Sequence, residues 1–108
     1  MLSPDKCKFI FLHRYFINGR KYDRLILADI SGRLLKVLSS DQMVSHCCWA
    51  DENTIIGYLR KKNLGDGYYK IDINSQEISP VNSQILNQYG DGHPSVCDGK
   101  VLFDTYPN

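Results

Sequence analysis

The sequence has no apolar run approaching the ~20 residues of a membrane helix. Its first residues, MLSPDKCKF, lack the long apolar segment of a secretory signal. It has no surplus of charge either. Thirteen basic and 12 acidic side chains leave a net +1 over 108 residues, so neither nucleic acid nor an anionic membrane is expected as a partner. The four cysteines include no C-x-x-C pair, which excludes the common zinc spacings. Four free thiols point to a reducing, cytoplasmic setting. No long segment repeats apolar residues at helical spacing. The length suits one small domain, 1–108.

What is present is a series of short apolar or aromatic runs. They cover 8–13, 23–29, 34–38, 44–49, 54–60, 67–72, 77–81 and 100–105. Turn residues punctuate them: Asn18-Gly19, Ser31-Gly32, Gly65-Asp66-Gly67, Asn74-Ser75 and Asp98-Gly99. An all-β chain is expected. The run LILAD is apolar at successive positions, so both faces of its sheet should be covered.

One pattern recurs. His46 and His93 each open a run that reaches an acidic turn, at Asp51 and at Asp98, and a further apolar run follows. Asp5 stands 46 residues before Asp51, again ahead of an apolar run. A period of this length is a mark of repeat folds, four-stranded propeller blades among them. Counted so, strands two to four of one blade occupy 8–38. A full blade of four antiparallel strands occupies 44–81, and strands one and two of a third occupy about 93–105. The expected fold is a partial β-propeller of about two blades. Closed propellers have at least about four, so a piece of a larger propeller is expected, with open blade edges that self-associate.

The turn segments Ser3-Pro4-Asp5, Ala50-Asp51-Glu52 and Cys97-Asp98-Gly99, and the run from His93 through Asp98-Gly99-Lys100 to Phe103, resemble the WD40-like repeat of TolB-type propellers. A narrower likeness links FLHR, SHCCW and GHPS to oligogalacturonate lyases, seven-bladed propellers of that repeat class. That resemblance implies a manganese ion held by His13, His46 and His93, bound to the acid group of a pectin fragment. The family's glutamine falls here on Met43, with Gln42 beside it. Its catalytic base and substrate arginine lie in blades outside this sequence, so lyase activity is expected only of a complete protein.

Read without the resemblance, the three histidines fall at the end of a second strand or the start of a first. Those positions share one rim, where neutral imidazoles suit a divalent metal. Arg14 and Arg60 end second strands and suit a carboxylate as planar forks. Asp104 and Tyr106 close the last strand on the same rim and suit sugar hydroxyls. Each of these also has a plain reading as a solvated or strand-ending residue. Lys61-Lys62 reads as solvated. Cys47 and Cys48, adjacent on a strand, point to opposite faces and cannot share a metal. The cysteines and Trp49 are expected to pack between blades. Two functions therefore stand. One is binding of an acidic oligosaccharide, through a metal on a histidine-lined rim. The other is a non-catalytic propeller scaffold for carbohydrate or protein. A purely structural repeat is the third reading.

Overall fold

A computed structural model describes residues 1–81, 92–97 and 100–105; side chains are described through Val81, Leu34 excepted. The described residues contain β-strands and turns and no helix. No helix among them is long and apolar enough to cross a membrane. Among the described residues, nine strands form three antiparallel sheets. The first sheet has the order β1 (Lys8–Ile17), β2 (Arg20–Asp29), β3 (Leu34–Ser39). The second runs β4 (Val44–Asp51), β5 (Thr54–Lys61), β6 (Gly65–Asp72), β7 (Ile78–Pro80). The third pairs β8 (Gly92–Cys97) with β9 (Lys100–Thr105) and lies beside β4.

Turn chemistry sets the registers. Asn18 and Gly19, with φ of 52° and 79°, form the two-residue turn whose twist suits a hairpin. Pairing then starts at Ile17↔Arg20 and runs without a break to Lys8↔Asp29. β1 therefore continues four residues past His13, which is a correction to the expected strand end. His13 and Arg14 interrupt the apolar run, but Tyr15, Phe16 and Ile17 resume it, and a two-residue turn at 18–19 requires its flanks to be paired at once.

The first two sheets share one core. Ile10, Leu25, Leu27 and Leu38 meet Val44, Trp49, Ile55, Leu59, Tyr69, Ile71 and Ile73. Each fully buried aliphatic side chain contributes roughly 1.5–3 kcal/mol. The opposite face of the second sheet buries Cys48, Ile56 and Tyr68, with Ala50, Tyr58 and Val81 against them. Cys47 packs on the first cluster and Cys48 belongs to the second, so the neighbouring thiols face apart as their alternation requires. Burial pushes the Cys48 thiol up to about 11. Cys7 departs from expectation: it is exposed, because it lies in the turn before β1 rather than on a strand. Trp49 is buried, and its indole N–H donates to the Met1 carbonyl at 3.2 Å.

The two sheets repeat each other in detail. Asp5 accepts the amide of Cys7, and Asp51 accepts that of Asn53. The amide of Ile30 donates to Cys7 O, and that of Ile73 donates to Asn53 O. Asp29 accepts the amide of Ser31, and Asp72 that of Asn74. Arg14 lies opposite Asp23 in the β1–β2 register, and Arg60 lies opposite Asp66 in the β5–β6 register. Both arginines form ion pairs with those partners. The period of about 46 residues is thus also a structural one: each position in β1 corresponds to the position 46 later in β5.

Candidate functional site

The residues around the junction of β1, β2 and β4 build a basic groove. Ile10 and Leu25 face the second sheet, and alternation puts Leu12, Arg14 and Asp23 on that same face. Leu12, Arg14, Lys21, Asp23, Met43, Val44, Ser45 and His46 line an open cavity of about 310 Å³. Asp23 is buried. Its carboxylate accepts from Arg14 Nε at 2.9 Å, and its backbone amide donates to Gln42 O at 2.8 Å. A carboxylate out of water needs such a partner, so Arg14 is held in place from beneath while about half of its side chain stays exposed. His46 Nδ1 lies 3.0 Å from Ser45 Oγ.

A second open cavity, of about 360 Å³, adjoins the loop between the sheets and is lined by Ser40, Asp41, Gln42, Arg60 and Lys62. Gln42 sits there with a φ of 80°, a backbone region that non-glycine residues rarely adopt. Its Oε1 accepts from Arg60 Nη1 at 3.1 Å and Arg20 Nη2 at 3.3 Å. Arg60 also reaches Asp66 through Nε at 2.8 Å and Nη2 at 3.3 Å. That carboxylate raises the guanidinium's hold on its proton above the ordinary.

The expected site residues are only partly brought together. Arg14 and His46 line one cavity; Arg60 lines the neighbouring one. His13 is elsewhere. It lies mid-strand in β1, directly opposite Arg24, on the face of the sheet turned away from the groove. Its Nδ1 lies 3.2 Å from Arg24 Nε and 2.7 Å from Arg24 Nη2. A guanidinium has only N–H donors, so this nitrogen accepts. The ring also stacks on Tyr15 at 5.4 Å. His13 and His46 therefore do not converge on one point, and no group of three or more His, Cys, Asp or Glu among the described residues is placed to hold a metal ion. His93 and Asp104 face each other in the β8–β9 register; their side chains, and the whole of Tyr106, lie outside the described residues.

No protein-family model matches this chain, and no similar curated protein or solved structure was found. The geometry alone bears on function.

Lys21, Asp23 and Ser45 are site residues that the apolar pattern does not reveal. A signal for two of them was present. Counting outward from the Asn18-Gly19 turn pairs position 17 with 20 and position 14 with 23, which sets Arg14 on Asp23 and brings Lys21 to the same strand face.

Proposed function

We propose that the chain is a stretch of a β-propeller whose groove between successive blades binds the carboxylate of an acidic sugar. One observation carries this: Arg14, Lys21 and His46 line a single cavity in which the described carboxylate, Asp23, is already taken up by Arg14. An arriving carboxylate meets the outward half of the Arg14 fork and the Lys21 ammonium. Leu12 and Met43 offer apolar wall to a sugar ring. The repeated Asp turns and Arg–Asp cross-strand pairs support the blade reading, since successive blades place equivalent residues at equivalent rims.

The function proposed is binding, not elimination. Removing the C5 proton of a uronic acid requires a free base, and Asp23 is engaged as an ion-pair partner. Manganese is an expectation on which the proposal does not lean, because His13 faces away from His46. The scaffold reading keeps the same groove without the sugar.

The test is titration with a galacturonic acid trimer and, in parallel, a neutral galactose trimer, followed by amide NMR. The acidic trimer should shift signals of residues 12–14, 21–23 and 43–46, and the neutral one should not. Lys21→Ala should weaken binding about threefold or more, and it leaves buried Asp23 paired. Repeating the titration with manganese present reads the metal separately. Equal responses to both trimers, or none, would overturn the sugar reading.

A further inference from the structure

We infer that Arg20 and Arg60 form a second anion site, for a phosphate group, at the seam between the first two sheets. It is separate from the groove of Arg14, Lys21 and His46 and does not depend on sugar binding. Its centre is the side-chain oxygen of Gln42. That Oε1 accepts from Arg20 Nη2 at 3.3 Å and from Arg60 Nη1 at 3.1 Å. A guanidinium has donors and no acceptor, so whatever lies between two of them must accept from both. An uncharged amide oxygen is the weaker acceptor for that place. An oxyanion there makes charge-assisted bonds, roughly twice as strong.

The surroundings hold this arrangement in position without neutralising it. The loop carrying Gln42 is fixed from both sheets: the Asp23 amide donates to Gln42 O at 2.8 Å, and the Arg60 amide donates to Met43 O at 2.9 Å. Glycine would adopt the Gln42 φ of 80° freely; what glutamine adds is the amide oxygen. Backbone held in such a region is found at ligand clamps. Asp66 takes Nε and Nη2 of Arg60 and leaves Nη1 for the seam. Arg20 lies over the Tyr22 ring at 5.8 Å and has no ion pair among the described residues.

Lys62 lines the same cavity as Gln42 and Arg60. Asp41 lines it too, with its Oδ2 held by the Lys62 amide at 2.9 Å. Three cations therefore face two carboxylates, Asp41 and Asp66, and a positive surplus remains. The donors come from the start of β2, the end of β5 and the turn after β5. A tetrahedral phosphate offers an oxygen to each of three directions, whereas a carboxylate offers two in one plane. Binding swings the Gln42 amide aside and puts phosphate oxygens in its place.

Titration of the full chain with inorganic phosphate, against sodium chloride at matched ionic strength, tests this by NMR. Phosphate should shift the Nε–H signals of Arg20 and Arg60 and the amides of 40–43 and 60–62, and saturate; chloride should not. Arg20→Gln, at an exposed position, should weaken the response about fivefold or more. Gln42→Glu keeps the stem and lets the chain fill its own site, so it should weaken binding about tenfold or more. Gln42→Ala removes the competing oxygen and should bind at least as tightly as wild type. Circular dichroism checks that each variant folds. Lys21→Ala should leave the phosphate response unchanged, which separates this site from the sugar groove. Methyl phosphate in place of the inorganic ion identifies the source: equal or tighter binding assigns the site to the phosphate group of a larger molecule, and binding of the inorganic ion alone assigns it to free phosphate. Equal responses to phosphate and chloride, or Gln42→Glu binding phosphate like wild type, would overturn the site.

Discussion

Gly57 shows how closely single residues are specified. It lies mid-strand in β5, where glycine ordinarily weakens a sheet. A Cβ built there would sit 2.5 Å from Cys47 Sγ and 3.3 Å from His46 O. The missing side chain makes room for the cysteine directly opposite it in the β4–β5 register. Gly57→Ala should therefore cost about 1–3 kcal/mol of stability, read from urea unfolding. Because the thiol is the nearest obstacle, combining it with Cys47→Ala should cost clearly less than the two changes summed. Strict additivity would show that the strain lies in the backbone at His46 instead.

At the scale of elements, the turns depend on carboxylates. Asp5, Asp29 and Asp72 each accept backbone amides of the residues that follow. Hydrogen bonds hold all three carboxyls below the ordinary carboxylate range, led by the Ser3 hydroxyl at Asp5, the Ser31 hydroxyl at Asp29 and the Ser75 amide at Asp72. A pKa lower in the folded chain than in the unfolded one adds stability that is present above the unfolded value, near 3.8. That stabilisation is lost as pH falls through the folded value. Asn keeps an acceptor for the amides but cannot titrate. The triple variant Asp5→Asn, Asp29→Asn, Asp72→Asn should therefore lose less stability than wild type as pH falls from about 5 to about 2, a difference read from urea midpoints across that range. Identical acid profiles would rule these turns out as the source.

Over the whole molecule, the first two sheets are tied by more than apolar contact. Lys36 Nζ donates to Ile73 O at 2.6 Å and to Asn74 O at 3.3 Å, which joins β3 to the turn after β6. The amide of Asp23 reaches Gln42 O, and that of Arg60 reaches Met43 O. Lys36→Met keeps the packed stem and removes the ammonium donor. It should cost about 1–2 kcal/mol. Trp49 fluorescence and far-ultraviolet dichroism should still report one shared transition, because the apolar core spans both sheets. Separate transitions in the variant would mean that Lys36, rather than the core, couples them.

The sequence by itself determined the all-β class, the run 100–105 that forms β9, the hairpin at Asn18-Gly19 and the opposed faces of Cys47 and Cys48. These follow from alternation and turn chemistry, which act over a few residues. The period of about 46 residues was also legible, because the same acidic turns recur and each binds its own nearby amides. Tertiary structure alone decided which side chains meet. Arg14 and His46 come together because two sheets pack face to face across residues distant in the chain. The end of its apolar run assigns His13 to the same rim, but β1 runs on to Ile17 and alternation turns His13 to the outer face. Which face of a strand is covered, and by what, is a property of contacts between sheets; no local pattern contains it.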